Sequence, residues 1–386
     1  MRVHQSCFIS VAIFFMLSAN SAHAAENAVQ AGTANVIDRH VASDYNAVVA
    51  VRAELNAPLL TRATGLAGRD PAIPNNNGSR FMIGSISKWI SAVTVLRLVD
   101  LGKLDLDTPI ARHLPELPSD NGAVTLRQLL SNRSGIPNGV STALRKDPTI
   151  AQLDIGPVAG ALRFGAEPLN AAPGEKWEYS YTNWVLVAAV VERANNKPFM
   201  DTVRELVLMP AHVHDTDFAA SAGEVSDKMA EAYATSGARK VSPAPPMVAA
   251  SGTLYSTAHD LVALADTVYF SKLLSDRARK ELSNIQVATE DYALGGRVRS
   301  VNTGKGKRVL AWESGSSGGY KTLLAYDPLD GCAVVLLNNT DMEQSEQAAI
   351  AITVWRDVSL SGRIGVYRAS CPLFLNQRRS AQPASS

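Results

Sequence analysis

Short apolar segments bounded by turn residues lie near both ends of the chain. Residues 45–55 and 59–66 are separated by Asn56-Ala57-Pro58, a pattern that predicts two strands joined as a hairpin. After about residue 294 the strand pattern returns, with glycine-containing turns between the segments. It predicts four more strands and a closing helix, over residues 297–301, 308–312, 320–326, 333–337 and 343–358 respectively.

The middle of the chain has the spacing of helices. Residues 85–101 are strongly apolar and are followed by Gly102, which predicts a helix that ends there. Up to about residue 280 the signals stay mostly helical, with proline and glycine in the loops. Ser256 is the predicted N-cap of one of these helices, with Asp260 in its first turn. The other helical segments include residues 126–131, 182–194 and 200–208.

Strands at both ends with helices between them predict an α/β (α+β) fold. We expect one antiparallel sheet that is formed by both ends of the chain and flanked by helices, with an all-helical lobe inserted. The predicted single domain spans residues 25–375, with an α/β lobe of 25–75 plus 290–375 and a helical lobe of 76–289. The polar tail, 376–386, is expected to be disordered. A cleft between the lobes is the expected place for chemistry.

Residues 1–24 have the features of a secretory signal peptide. Arg2 supplies the positive charge, residues 7–17 the apolar stretch, and Ala22-His23-Ala24 the cleavage site. The apolar stretch is too short to span a bilayer, and no later segment of the sequence is long enough. We therefore expect an exported protein without a transmembrane anchor, which starts at Ala25 and works in a bacterial periplasm.

Charge and cysteine content narrow the possible partners. The chain has 37 Lys plus Arg against 36 Asp plus Glu, a net charge of +1, and no long run of one sign. This balance argues against a nucleic acid or a polybasic membrane contact and leaves the oligomeric state open. Cys7 would leave with the signal peptide. Cys332 and Cys371 then either form one disulfide or leave Cys332 as an inert thiol in a buried strand.

Ser85-Ile86-Ser87-Lys88 is the only S-x-x-K in the chain. Residues three apart share a helix face, so Ser85 and Lys88 would be neighbours. A helix N-terminus favours developing negative charge at Ser85, and burial favours a neutral Lys88 amine that can accept the serine proton. The motif alone is weak, because an N-cap serine followed by a snorkelling lysine has the same spacing.

Two other motifs suggest different chemistry and are set aside. Residues 315–319 fit the G-x-S-x-G nucleophile elbow, but that mechanism needs a histidine downstream, and the last one is His259. His212 and His214, with carboxylates nearby, have a spacing that can ligate zinc. No other cluster in the sequence offers a third ligand, so a polar surface turn is favoured. We expect neither a metal nor an organic cofactor.

Five segments resemble, in the family's order, the serine hydrolases related to class C β-lactamases and D-Ala-D-Ala carboxypeptidases. They are residues 81–88, 101–107, 129–137, 173–180 and 251–261. The resemblance covers nearly all of the chain after residue 24. It implies the β-lactamase/transpeptidase (penicillin-binding-protein-like) fold, Ser85 as nucleophile and Lys88 as base. The implied partner is a small molecule or peptide with a scissile amide or ester.

The family's second catalytic element is a tyrosine in a Tyr-x-Asn motif. The ungapped match places it at Tyr179, with Tyr181 in the position of the usual asparagine. A shifted match uses Tyr181 and Asn183 instead. We favour Tyr179, because the Pro-Gly-Glu segment before it and the Thr-Asn-aromatic segment after it then need no gap. Tyr179 would relay protons to and from Ser85, and Tyr181 and Asn183 are candidates for substrate binding.

The third family element is Lys-Thr-Gly or a His-x-Gly variant, which this chain replaces with Glu313-Ser314-Gly315-Ser316. Gly315 would let a substrate backbone approach closely. The resemblance implies that the N–H groups of Ser316 and Ser85 form an oxyanion hole.

Glu313 departs from the family pattern, since it places an acid where family members commonly present a cation. Unless Lys321 or Arg297 compensates, anionic substrates would be disfavoured, and neutral esters or amides, or substrates with a free amine, would be favoured. The alternative is that Glu313 is a solvated strand residue that points away.

These observations predict an exported serine hydrolase that forms an acyl-enzyme at Ser85. A D-Ala-D-Ala carboxypeptidase or β-lactamase-related peptidase or amidase comes first, and a carboxylesterase of the same family is the alternative. A non-catalytic, penicillin-binding-like cleft protein is a third possibility, against which the presence of both Ser85 and Lys88 argues.

Overall fold

The computed structural model describes residues 30–41, 45–219, 228–241, 245–303 and 306–369. The predicted signal peptide, the predicted tail and Cys371 lie outside these residues, so the predictions made for them stay predictions. Within the described ranges no helix combines the length and the apolar character that crossing a membrane requires.

The chain forms thirteen strands and twelve α-helices within the described residues. The strands are β1 (Ala47–Arg52), β2 (Leu60–Thr64), β3 (Leu66–Arg69), β4 (Ala72–Pro74), β5 (Phe81–Met82), β6 (Asp217–Phe218), β7 (Ala232–Tyr233), β8 (Arg239–Lys240), β9 (Leu254–Ser256), β10 (Arg297–Thr303), β11 (Gly306–Ser317), β12 (Tyr320–Tyr326) and β13 (Ala333–Asn338). The helices are α1 (30–40), α2 (Ile86–Asp100), α3 (Ser119–Gly122), α4 (Leu126–Leu130), α5 (Gly139–Lys146), α6 (Pro157–Phe164), α7 (Tyr181–Asn195), α8 (Phe199–Val203), α9 (Ala249–Gly252), α10 (Ala258–Phe270), α11 (Asp276–Ser283) and α12 (Gln344–Ala369).

The main sheet joins the two ends of the chain, as predicted. Its six strands are all antiparallel and lie in the order β10-β11-β12-β13-β1-β2. Every residue of β1 and β13 is buried, because both faces of the sheet are covered. One face packs on the core that contains α2 and α10, and the other packs on α1 and α12. This explains why these strands are continuously apolar rather than alternating.

Helix α2 lies at the centre of the helical region. Every residue from Ile86 to Leu96 is buried, and the helix packs against α7, α9, α11 and the sheet. A helix with no polar face is stable only where it is surrounded by protein. Gly102, with φ of +70°, follows the C-cap, as the sequence predicted.

The structure differs from the sequence prediction at two places that matter for the site. Strand β11 continues beyond residue 312 to Ser317, while the pairing with β10 starts at Arg297 and Trp312. The end of β11 therefore has an edge that β10 does not cover. The predicted N-cap at Ser256 is wrong: Ser256 pairs with Phe81 in a strand, and Thr257 caps α10 by accepting from the N–H of Asp260.

Candidate active site

Ser85 lies at the start of α2, directly after strand β5 and the connecting residues Ile83 and Gly84. Gly84 has φ of +52°, and a Cβ atom there would lie 2.8 Å from the N of Ser316. Only glycine tolerates both the backbone conformation and this close approach. The segment before the helix therefore sets Ser85 against the uncovered end of β11.

Two side chains converge on the Ser85 hydroxyl. The Nζ of Lys88 lies 3.1 Å from Ser85 Oγ, and the hydroxyl of Tyr179 lies 2.7 Å from the same atom. Both distances are those of hydrogen bonds. Of the two candidate tyrosines, Tyr179 is thus the one whose hydroxyl reaches Ser85.

Lys88 is 1% exposed, and its amine has no ion-pair partner among the described residues. It donates to Ser85 and to the carbonyl oxygen of Ser251. Its Nζ also lies 5.0 Å, 5.2 Å and 5.9 Å from the ring centres of Tyr179, Tyr181 and Trp184. A buried amine without a carboxylate partner is suited to exchanging a proton with the serine.

The start of α7 holds the two tyrosines in place. Asn138 donates to the carbonyl oxygen of Tyr179 at 3.3 Å and accepts from the N–H of Tyr181 at 3.1 Å. Tyr181 is 37% exposed, and burial of most of its ring raises the pKa of its phenol. Asn183 is 1% exposed and accepts from the hydroxyl of Ser134 at 2.7 Å. Asn183 therefore braces the neighbouring loop, and its substrate-binding role stays a prediction.

The end of β11 packs tightly against the segment before Ser85. A Cβ atom at Gly315 would lie 1.9 Å from the carbonyl oxygen of Ile83, so no other residue fits there without a shift of the backbone. Thr322 on the next strand donates to the same carbonyl at 2.9 Å. This packing brings Ser316 to the same pocket as Ser85, and the oxyanion hole expected from their N–H groups stays a prediction.

A pocket of about 230 Å³ opens beside Ser85, and we call it the Ser85 pocket. Its polar lining comes from five serine and threonine residues, Ser85, Ser251, Thr253, Ser316 and Ser317. None of its described lining residues has a charged side chain. Its other side chains are mainly apolar, and they come from Leu144, Ala151, Tyr181, Pro245 and Val248.

Glu313 does not line the Ser85 pocket, and it is not a solvated strand residue either. It is 4% exposed, and burial raises its pKa to about 8. Its carboxyl group lies against Gly296, where a Cβ atom would come within 2.0 Å of Oε2. The sequence suggested that Glu313 either faces substrate in the cleft or points into solvent. The structure shows neither of these surroundings for Glu313. Its substrate-binding role, which no contact here supports, stays a prediction.

Of the two basic residues considered as substitutes for a family cation, Lys321 lies beside the site and Arg297 is engaged elsewhere. Lys321 donates to the hydroxyl of Ser316 at 3.0 Å. Arg297 donates to the carbonyl oxygen of Glu290 at 3.1 Å and lies 5.5 Å over the ring of Tyr292. Lys321 is thus the cation beside the Ser316 end of β11.

Of the other two motifs, residues 315–319 belong to this arrangement, since Ser316, Ser317 and Gly318 line the Ser85 pocket. Residues 315–319 cover the end of β11 and the turn into β12, so a strand follows the motif, as the sequence indicated. Among the described residues, no group of three or more histidine, cysteine or acidic side chains is placed to bind a metal. Cys332 is buried and has no disulfide partner among the described residues, and its pairing with Cys371 is untested.

Sequence reasoning missed several residues that shape the site. Ser251 lies within a family segment and Asn138 next to one, so the sequence could have placed them near the site. It could not have predicted that the carbonyl of Ser251 accepts from Lys88 or that Asn138 accepts from Tyr181. Leu144 and Val248 lie outside any motif. Nothing in the local sequence separates them from other apolar loop residues.

Comparison with known proteins relates the chain to one family. The profile of the Beta-lactamase family matches residues 33–354. Esterase EstB of Burkholderia gladioli is 35% identical over 188 residues, which cover 46% of this chain and 48% of the esterase. Putative penicillin-binding protein PbpX of Bacillus subtilis is 24% identical over 233 residues, which cover 59% and 56%. The chain spans about half the length of the curated relatives it matches.

Solved structures share the fold. A penicillin-binding protein from Bacillus halodurans superposes with a TM-score of 0.70 at 24% identity, over 82% of this chain and 98% of that one. D-amino acid amidase from Ochrobactrum anthropi gives 0.68 at 20% identity, over 88% and 99%. At this identity the likeness shows the fold alone. Taken with the family match over most of the length, it means that this chain belongs to the Beta-lactamase family.

Proposed function

We propose that this protein is a serine hydrolase that forms an acyl-enzyme at Ser85 and that its preferred substrates are neutral esters. The observation that carries the proposal is the convergence of Lys88 Nζ and the Tyr179 hydroxyl on Ser85 Oγ, at 3.1 Å and 2.7 Å. This is the arrangement of a nucleophile with an adjacent base and a proton relay. Ser85 also lines a pocket without charged side chains in its described lining, and this pocket can hold the acyl group of the substrate.

In acylation, the Lys88 amine takes the proton of Ser85, and Oγ attacks the substrate carbonyl carbon. The N–H groups of Ser85 and Ser316 hold the oxyanion that forms. Tyr179 gives its proton to the leaving group as the bond to the carbonyl carbon breaks, and it regains a proton from Lys88. Water then attacks the acyl carbon, the bond to Oγ breaks, and the proton of the water returns to Ser85 through the same pair.

The uncharged lining of the Ser85 pocket supports neutral substrates. Burying an unpaired charge among Leu144, Val248 and Tyr181 would be costly, while an apolar acyl group gains from leaving water. The likeness to an esterase over 188 residues agrees with this choice. We therefore place neutral esters ahead of the peptidase or amidase reaction that the sequence favoured.

Lys321 supports a second candidate, the hydrolysis of D-Ala-type peptides, amides or β-lactams that carry a carboxylate. Its Nζ lies 3.0 Å from Ser316 Oγ, beside the uncovered end of β11, where it can attract an anion.

The proposed location is the periplasm, after removal of residues 1–24, which suits a cell-wall peptide as well as an exogenous ester.

A labelling and turnover experiment tests the proposal. The chain from Ala25 is treated with a fluorescent fluorophosphonate and a fluorescent penicillin, and it is assayed on short-chain esters, a D-Ala-D-Ala peptide and a chromogenic cephalosporin. We expect fluorophosphonate labelling and ester turnover that Ser85→Ala abolishes and the exposed control Ser119→Ala retains. Peptide or cephalosporin turnover above ester turnover would favour the second candidate, and a protein without Ser85-dependent label or turnover would refute both.

A further inference from the structure

Glu313 lies inside the protein, just behind the reacting end of β11. It precedes Gly315 by two residues, so the two lie on the same face of the strand, the face that packs on Ile83. The backbone of Gly296 covers the carboxyl group, since a Cβ atom there would lie 2.0 Å from Oε2 and 2.1 Å from Oε1. We call the surroundings of this carboxyl group the Glu313 recess: they comprise Gly296, which lies against it, and Tyr269 and Tyr292, on whose phenols its charge acts.

The carboxyl group in the recess has no charged partner. No basic side chain of the described chain forms an ion pair with it, and no described donor forms a hydrogen bond to it. The positive group that acts on it is Arg297, whose guanidinium is bonded to Glu290 and lies over the ring of Tyr292. A buried carboxyl group without a partner avoids the cost of its charge by keeping its proton.

The titratable groups that face the recess are phenols. Burial raises the pKa of Tyr269 on α10, and a charge on Glu313 raises it further. Burial also raises the pKa of Tyr292, and charges on Tyr179 and Glu313 add to this effect. Trp177 connects these groups to the site, since its ring centre lies 6.1 Å from that of Tyr292 and 6.2 Å from that of Tyr179.

The Tyr292 hydroxyl is buried, and among the described residues the polar groups that act on it besides Tyr179 and Glu313 are Asn132 and Arg297, so few groups screen a charge in this region. An anion at Glu313 would therefore act with little screening on both Tyr179 and the oxyanion beside Ser316. The reaction develops negative charge at both places, so an anion in the recess opposes it.

We propose that Glu313 is a positioning residue that must remain an uncharged carboxylic acid for Ser85 to react. Loss of its proton to solvent leaves an unpaired anion behind the strand that holds the oxyanion, and it slows acylation. This inference rests on the proposed reaction at Ser85. It also changes the expectation that Glu313 rejects anionic substrates, because a neutral acid repels no carboxylate until it ionises.

The test compares wild type with Glu313→Gln, which keeps the shape and cannot ionise. The rate at which a neutral fluorophosphonate phosphonylates Ser85, with loss of fluoride, is measured from about pH 6 to about pH 10 as a probe of the nucleophile and the oxyanion site, with Ser85→Ala as the blank. We expect the wild-type rate to fall by about tenfold per pH unit above a midpoint near the Glu313 pKa of about 8. Glu313→Gln, which cannot ionise at this position, should lose that midpoint.

Glu343→Gln, an exposed acid on another part of the surface, should keep the wild-type profile. A second readout does not depend on activity: the infrared carbonyl band of a protonated carboxylic acid should be present in wild type at neutral pH and absent in Glu313→Gln.

An unchanged alkaline midpoint in Glu313→Gln, or no difference in the infrared band, would overturn the inference while leaving the proposed function intact. A wild type without any Ser85-dependent labelling would refute the proposed function itself, and the infrared comparison would still decide the protonation of Glu313.

Discussion

The Ser85 pocket and the Glu313 recess are both built on strand β11, and they differ in access to solvent and in polarity. The pocket is open and has no charged side chain in its described lining. In the recess, the backbone of Gly296 lies against a nearly buried carboxyl group that forms no ion pair with any described residue. The lining of the pocket can therefore select the acyl group of the substrate. The charge state of the carboxyl group in the recess can change the electrostatic potential at the reacting atoms. The same strand can determine specificity at one end and pH response a few residues earlier.

The largest expected effect separates the two tyrosines next to Lys88. Tyr179→Phe removes the hydroxyl that lies 2.7 Å from Ser85 Oγ, so we expect kcat to fall by about 10²- to 10⁴-fold. Tyr181→Phe keeps the ring that lines the pocket, and it should change kcat less than about threefold. Steady-state kinetics on a neutral ester measures both. Equal losses in the two variants would contradict the assignment of Tyr179 as the proton relay.

The next effect concerns the stability of the recess. The pKa of Glu313 is raised from 4.5 to about 8 in the folded protein, so the folded state holds a proton that the unfolded state has lost. Its contribution to stability is full below about pH 4.5, decreases by about 1.4 kcal/mol per pH unit, and is lost as the pH passes about 8.

Urea unfolding of wild type and Glu313→Gln at several pH values within that window measures this effect. We expect the free energy of unfolding of wild type to decrease relative to that of Glu313→Gln as the pH rises. A difference between the two proteins that does not depend on pH would show that Glu313 is already charged in the folded state.

A smaller effect is expected from variants that test the contact between Gly296 and the carboxyl group of Glu313. In Gly296→Ala the new methyl group would overlap the carboxyl group of Glu313, so we expect a loss of about 1–3 kcal/mol in the free energy of unfolding. Adding Glu313→Ala should recover part of that loss, since it removes the overlapping atoms. Urea titration of both single variants and the double variant measures the coupling, and strictly additive effects would contradict the contact.

The smallest effect tests the apolar wall of the pocket. Each methylene of a straight acyl chain that enters the space beside Leu144 and Val248 should raise kcat/KM by about fourfold, because its burial contributes about 0.8 kcal/mol. The gain should stop when the pocket of about 230 Å³ is full. Val248→Asp should flatten the dependence on chain length, while the exposed control Val241→Asp should not. A flat profile in wild type would exclude this pocket as the acyl site.

Local sequence was sufficient for the elements that carry the nucleophile and the sheet. The Ser85–Lys88 pair depends only on helix periodicity, and residues 320–326 form the predicted strand with unchanged bounds. Local reasoning was less reliable at element ends. The N-cap of α10 moved from Ser256 to Thr257, because pairing with Phe81 draws Ser256 into β9. Strand β11 extends beyond its prediction because β12 pairs with it as far as Ser317.

The sequence by itself determined that strands lie at both ends of the chain with helices between them. It also determined the spacing of serine and lysine on α2 and the family segments that point to acyl transfer. Tertiary structure decided which tyrosine reaches Ser85, because Tyr179 is separated from it by 94 residues. It also decided the environment of Glu313. Whether a strand residue meets solvent, substrate or the interior depends on what packs against that face, and here Gly296, from a loop before β10, covers it. Contacts between segments distant in the chain have no local pattern, so only the folded arrangement reveals them.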